Sequence, residues 1–397
     1  MSAHGEPGRD RPLVGRGPEL DDLDDALSSV SAGSGSIMLL EGEAGVGKSS
    51  IAHAVRTTAH LLGLEVRSAS ASAVPRRPFA LLADALLPAR PVPGAEDALG
   101  PASSRAPSPV EEELAALLDG ARDTPAAPAV VARTEELFTA LVRRRGDSGP
   151  WLLVLDDLHL ADEASLAVLY RLAREGAVER ALLLATMRPV PRGAELATVV
   201  AAWTRAGARY VELRPLAPAA VVELAESRVG APVGPALRGA LATTGGNPRF
   251  VADLVRAIQD AGALVPMPPG GVDVAHDGWV GPLDALVVAR LDYLGADVTA
   301  LLARASVLGS SFVVGDLAEL AELPVAHCWR VLRHALAAGV VHARGDRLAF
   351  RHDLVRTALY AGLDPAGRRD LHARAARALQ EAGAPPAVVE RHLHRTV

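Results

Sequence analysis

In 397 residues the chain has one lysine, one asparagine and one cysteine, and aromatic residues make up only 3% of it. Each scarcity excludes something. The single thiol, Cys328, rules out an internal disulfide framework and fits a reducing cytosol. Few aromatics beside abundant alanine favour helices over extended sheet. No uninterrupted apolar run is long enough to span a bilayer, and the polar start MSAHGEPGRDRP lacks the apolar core of a signal peptide. A cytoplasmic protein with no membrane partner is expected. The formal net charge of −6 argues against a chain that coats nucleic acid. The length is enough for two or three domains, each with its own core.

Lysine and arginine together number 41, so forty arginines stand beside Lys48. A GC-rich genome produces such a skew, because lysine and asparagine codons are A-rich. A lysine that survives this pressure sits where its chemistry is hard to replace. Lys48 lies in GEAGVGKSS (42–50), after a short apolar run, Ile37 to Leu40, and before a helix that starts near Ser49. Strand, glycine loop and helix are the context that G-x-x-x-x-G-K-[ST] requires to cradle phosphates. Gly42, Gly45 and Gly47 let successive N–H groups point into one concavity, and the helix N-terminus adds its partial positive charge. Glu43, Ala44, Val46 and Ser50 complete the stretch around an ATP or ADP. Lys48 reaches the β- and γ-phosphates as a compact charge that a planar guanidinium cannot imitate, and Ser49 offers a hydroxyl to Mg²⁺.

A phosphate loop of this kind needs an acidic strand. PWLLVLDDLHLADEASL (150–166) supplies an apolar run, Trp151 to Leu155, that ends in Asp156 and Asp157. Asp156 is the second Mg²⁺ partner, through water, and Asp157 orients the attacking water. Asp162 reads as the N-cap of the next helix. A third run, Ala181 to Ala185, is followed by Thr186 and Arg188, which places a polar sensor beside the γ-phosphate with Arg188 as its reader. LEVRSASAS (64–72) and RYVEL (209–213) complete a five-stranded parallel sheet flanked by helices, an α/β P-loop NTPase core.

The rest reads as helical. Residues 86–110 are rich in Pro, Ser, Ala and Gly and read as an insertion loop. A helix from Pro218 stops at Gly230, and Asn247 with Pro248 opens another that carries Phe250, Val251, Leu254, Val255 and Ile258 on one face. Residues 265–282 read as a linker. Helices near 283–293, 297–307, 313–321 and 325–338, then a hairpin around Gly345-Asp346, form a winged-helix pattern. Eight arginines balance eight acidic residues between Asp284 and Tyr360, so this portion is expected not to bind DNA directly. Two amphipathic helices follow, and Val388, Val389 and Leu393 leave an apolar edge for further helices or a partner.

Six motifs occur in order: LVGRGPEL, GEAGVGKSS, LLVLDDLHLAD, LLLATMRP, TGGNPRF and FRHDLVRTALY. Together they resemble the N-terminal ATPase and winged-helix portion of the large ATP-binding regulators of the LuxR family, which belong to the STAND class of AAA-related ATPases. The resemblance spans residues 12–397. It implies a P-loop ATPase core (12–214), a helical lid (215–264), the linker (265–282), a winged-helix domain (283–362) and C-terminal helices (363–397). It implies that Val14, Gly15 and Arg16 lie along the adenine and that Pro248 contacts the nucleotide from the lid. It also implies an ADP-bound closed monomer that opens, takes up ATP and assembles as a homo-oligomer, with an unknown inducer or partner protein. In that class a His-Asp pair fastens the winged helix to the ADP-bound core, and His352-Asp353 match it. The bland reading of the same pair is that Asp353 caps a helix and His352 is a surface residue. Two departures stand out: Gly17 where the family commonly has an acid, and Leu160 where it has a tryptophan. Three functions stay open: a slowly hydrolysing regulatory switch, a stand-alone ATP-dependent enzyme, and a nucleotide-binding module without turnover.

Overall fold

The apolar runs assemble as one five-stranded parallel sheet in the computed structural model, with strand order β2-β3-β4-β1-β5. The structure describes residues 13–72, 77–87, 107–120, 127–176, 178–189, 192–274, 288, 291, 294–381 and 385–395. The strands are β1 (Ser36–Gly42), β2 (Glu65–Ser70), β3 (Trp151–Asp156), β4 (Ala181–Met187) and β5 (Arg209–Leu213). Sequence pattern explains the order. In β3 and β4 every residue but Asp156 is buried, as a strand flanked by neighbours and covered on both faces requires. β2 and β5 carry Glu65, Arg67, Arg209 and Glu212 and take the edges, where charged side chains reach water.

Alternate residues of each strand face opposite layers. Ile37, Leu39, Leu153, Leu155, Leu183 and Ala185 share one core with Leu81, Phe138, Leu169 and Trp203 from four helices. Those helices are Ala80–Leu86, Pro128–Ser148, Glu163–Arg174 and Ala194–Arg205. Helices Gly17–Ser31 and Lys48–Leu61 also pack against the sheet. Asp162 caps helix Glu163–Arg174 by accepting the Ser165 N–H at 2.8 Å, as its sequence position suggests. Its carboxylate also accepts the N–H groups of Phe79 at 2.7 Å and Leu81 at 3.3 Å, which ties down the start of a second helix. Among the described residues no helix is long and apolar enough to cross a membrane.

The chain forms two compact units. The first comprises Met1–Gly42, Lys48–Arg188 and Arg192–Leu213; the second comprises Glu43–Gly47, Pro189–Pro191 and Arg214–Val397. In the second unit Pro218–Val229 begins on a proline and ends on Gly230 in the left-handed region. Helices Pro235–Ala242 and Pro248–Asp260 follow. The segment read as a linker departs from expectation at its start. An antiparallel hairpin, β6 (Leu264–Met267) with β7 (Gly271–Val274), occupies it, and its Pro/Gly cluster is the turn. Residues 275–282, the rest of that linker, lie outside the described residues, as do residues 88–106 of the expected insertion loop and most of the helix expected at 283–293.

Helices Ala296–Leu308, Val314–Ala321 and Val325–Ala337 then lead into a three-stranded antiparallel sheet of order β8-β10-β9. β8 is Ser311–Phe312, β9 is Val341–Arg344 and β10 is Arg347–Phe350, so Gly345-Asp346 is the two-residue turn read from the sequence. The last helices are Asp353–Ala361, Pro365–Glu381 and Pro386–Leu393. Of the apolar edge on the final helix, Val389 is buried and Leu393 is exposed.

Two buried histidines join these terminal helices. His372 Nδ1 and His392 Nδ1 lie 2.9 Å apart, and the Tyr360 hydroxyl lies 2.8 Å from His372 Nε2. One nitrogen of the pair must keep its lone pair to accept from the other, so both rings cannot be cations at once. Burial pushes the His372 ring down to about 4, helped by His392, Arg395 and Arg368. Burial, with Arg391 and Arg395, lowers His392 as well. A base whose folded value is depressed contributes stability above its unfolded value and loses it as pH falls. For His372 that window runs from 6.5 down to about 4. The melting temperature is therefore expected to fall between pH 7 and pH 5, by about 2–4 °C for each kcal/mol lost. The double variant His372→Leu/His392→Leu is expected to flatten that slope in a thermal scan, and an unchanged slope would contradict the assignment.

Candidate functional site

The carboxyl ends of β1, β3 and β4 bring together the first unit's polar residues read from the sequence. After β1 the loop turns through Gly45 at φ 81 and Gly47 at φ 110, a region that side-chain-bearing residues avoid. Helix Lys48–Leu61 starts immediately after it. Lys48 is buried, and its ammonium donates to the Gly42 carbonyl at 2.8 Å. The Ser49 hydroxyl donates to Asp156 Oδ2 at 2.9 Å, across 107 residues of sequence.

Asp156 receives a second hydroxyl. Thr186, fully buried on β4, donates to Asp156 Oδ1 in a short contact. The same Thr186 oxygen accepts the Asp157 N–H at 3.0 Å. That N–H also lies 3.2 Å from Asp156 Oδ1. These bonds hold Asp157 in the left-handed region at φ 54, where aspartate is tolerated but uncommon. A short 3₁₀ turn, Leu158–Leu160, leaves from it and places His159 Nδ1 3.8 Å from Asp157 Oδ1.

Burial sets the protonation of this pair, and nearby charges modify it. Burial raises the Asp157 carboxyl above its ordinary value, and the Asp156 charge adds to the rise, against Arg188 and Lys48. Burial pushes His159 down to about 4, and Arg188 and Lys48 reinforce it. His159 is therefore neutral at physiological pH, and its approach to Asp157 is not an ion pair. Lys48, Asp156, Asp157 and Arg188, each read from sequence, act on one another here. His159 and the Thr186–Asp156 bond were not read; the only signal was a histidine two residues past the acidic pair.

Val14 is buried, Gly15 is at φ 69, and Arg16 is buried and pairs with Glu19 at 3.1 Å. They precede helix Gly17–Ser31, which packs against β1, β4 and helix Lys48–Leu61. Ser50 is exposed on the first turn of that last helix.

In the second unit, Glu43–Gly47 is gripped by side chains from distant sequence. Asn247 caps helix Pro248–Asp260 by accepting the Arg249 N–H at 3.0 Å, and its amide donates to the Ala44 carbonyl at 2.9 Å. The Arg249 N–H also reaches the Gly45 carbonyl at 3.3 Å. A Cβ on Gly45 would stand 2.8 Å from the Asn247 carbonyl oxygen, so only glycine fits. Glu43 pairs with Arg351 at 2.6 Å and lies 3.4 Å from His352 Nε2. Pro248 takes the first position of its helix, as expected.

The bland reading of His352-Asp353 is overturned. His352 is buried, packs edge-on against Phe250 at 5.1 Å, and occupies the N-cap position itself. Asp353 is the first residue of the helix and instead accepts from Arg356 at 2.8 Å. A Cβ on Gly245 would fall 2.5 Å from His352 Nδ1, so the ring seats against bare backbone. Arg351 as a partner of Glu43 was not read from sequence.

The donor set fits a magnesium nucleotide. Ser49 and Asp156 bring two hard oxygen ligands together, and a loop of amides with an ammonium suits phosphates. Among the described residues no group of three or more His, Cys, Asp or Glu could cage a metal alone. That is compatible with Mg²⁺, which is held by one or two protein oxygens, water and substrate phosphates.

Residues 12–185 match the family model of the AAA ATPase domain, a match that implies nucleotide binding. No curated protein matches the sequence. Among solved structures the chain is similar to the Walker-type ATPase of Pyrococcus abyssi, at 14% identity, covering 88% of this chain and 97% of that one with a TM-score of 0.50. It is also similar to the ORC2 protein of Aeropyrum pernix in ADPNP–ADP complexes, at 15% identity over 97% and 98% of the two chains, TM-score 0.49. A STAND protein with a tetratricopeptide repeat sensor from Pyrococcus horikoshii matches at 14% identity over 100% of this chain and 50% of that one, TM-score 0.35. At such identities the likeness is one of fold.

Thr186→Val removes a fully buried hydroxyl and leaves the Asp157 N–H and one Asp156 oxygen short of a partner. A loss of about 1–3 kcal/mol is expected in urea unfolding. A loss below about 0.5 kcal/mol, the scatter of surface substitutions, would show that this hydroxyl does not organise the acids.

Proposed function

We propose that the chain is an ATP-binding, slowly hydrolysing regulatory switch of a LuxR-type transcriptional regulator. It cycles between an ADP-bound closed state and an ATP-bound homo-oligomer, and answers an inducer or partner protein. The observation that carries this reading is the grip on Glu43: its carboxylate is held by Arg351 and His352, two residues of the FRHD motif. A phosphate loop held this way can report on its nucleotide to the helices that follow. The order of helices and strands from Ala296 to Phe350 supports a winged-helix domain for that portion. Its balance of arginines and acids supports a role without direct DNA binding.

In this reading the loop amides, Lys48 and Arg188 neutralise the phosphates, and Arg188 reads the γ-phosphate. Ser49 and Asp156 would hold Mg²⁺, which draws charge off the phosphate oxygens when bound. Asp157 orients the attacking water and accepts its proton; its raised carboxyl makes it a stronger base than an ordinary aspartate. Val14, Gly15 and Arg16 lie along the adenine, and Pro248 contacts the nucleotide. His352 favours the ADP-bound state.

Lys48→Ala is expected to weaken ATP and ADP binding about ten- to a hundredfold, equal to a charge-assisted bond of roughly 1.5–3 kcal/mol. Unchanged affinity in calorimetry would sink the phosphate-loop assignment. His352→Ala is expected to speed ADP release about ten- to a hundredfold and to shift the protein toward larger species in ATP. If both the release rate and the sizing profile match the parent, His352 has no part in the switch.

A further inference from the structure

The neutral imidazole of His159 has no part in the scheme above, yet it is placed beside the group that does the chemistry. The backbone of Asp157 is already committed: its N–H goes to Thr186 and Asp156, and its carbonyl accepts the Leu160 N–H at 2.8 Å. What is left free to move is the carboxylate, and about a third of the Asp157 side chain is exposed. The 3₁₀ turn brings the His159 ring alongside it. The His159 side chain is 12% exposed, and its Nδ1 is buried with no hydrogen-bond partner among the described residues. A buried ring nitrogen without a partner is costly, so a fold keeps one where something else completes the bond.

We infer that His159 is a positioning residue: its Nδ1–H closes onto Asp157 Oδ1 and fixes the carboxylate toward the water that attacks the γ-phosphate. The 3.8 Å separation is one small side-chain rotation from a hydrogen bond. Burial, reinforced by Arg188 and Lys48, keeps the imidazole uncharged. The ring therefore orients the carboxylate as a neutral donor. The step it serves is simple: water oxygen bonds to the γ-phosphorus, the bond to the β–γ bridging oxygen breaks, and the water proton passes to Asp157.

This inference rests on Asp157 as the water-orienting base, and the experiment separates the two. His159→Ala, His159→Asn and His159→Gln are compared with the parent and with Asp157→Asn. Readouts are ADP affinity by calorimetry, ATP turnover, and retention of ADP trapped with aluminium fluoride, a mimic of the transferring phosphoryl group. Asparagine places an N–H near the position of Nδ1, whereas glutamine places one near Nε2. His159→Ala and His159→Gln are expected to keep ADP affinity within about threefold and lose about tenfold or more in turnover and in trapped ADP. His159→Asn is expected to recover both to within about threefold of the parent. If His159→Asn is as impaired as His159→Gln, or if all three match the parent, the positioning role is wrong. The comparison of the two amides decides the matter even where the alanine variant does not fold. If Asp157→Asn turns over ATP like the parent, the base assignment itself has failed. If Asp157→Asn is dead while the His159 variants are normal, only the role of His159 has.

Discussion

The Asp156 carboxylate, caught between the hydroxyls of Ser49 and Thr186, is the contact on which the first unit's site depends. It joins the ends of three elements: the helix after β1, the end of β3 and the end of β4. The sheet order makes this geometry available. β4 lies between β3 and β1, so a short hydroxyl on β4 can steady an acid on β3 while the serine after β1 reaches its other oxygen.

The same bonds set up the neighbouring residue. Asp157 cannot follow β3 in extended conformation, because its N–H is drawn to Thr186 and Asp156. The chain therefore turns through the left-handed region into the 3₁₀ turn. Strain of this kind costs of order 1–3 kcal/mol and persists where the surroundings over-determine it. Its consequence is a carboxylate that burial and Asp156 make more basic than usual, beside a ring that burial and two cations keep neutral.

Much of this was legible in the sequence because it is local. The apolar runs of β1, β3 and β4, the glycine loop, the lone lysine and the Asn-Pro helix start are short-range signals with a short-range cause. What escaped was long-range or ambiguous. Glu43 and Arg351 stand far apart in sequence, and no spacing rule links them. Asn247 was legible as a cap, but its amide bond to the Ala44 carbonyl was not. VPMPPGGVDV carries so many turn formers that it reads as a linker, yet Pro268, Pro269 and Gly270 are the turn of a hairpin whose strands include Pro266 and Gly271. Asp353 reads as a cap by propensity, but the helix begins one residue earlier than a cap there would allow, with Asp353 as its first residue. The His372–His392 contact joins two helices whose separate patterns say only that each is amphipathic.

The central claim is that the Lys48 loop retains a nucleotide whose identity sets the state of the chain. The most direct measurement is the nucleotide content of the protein as isolated, released by denaturation and separated by chromatography. The expected result is stoichiometric ADP, exchanging slowly for added ATP. Protein that carries no nucleotide, and takes up neither ADP nor ATP with Mg²⁺, would contradict the claim.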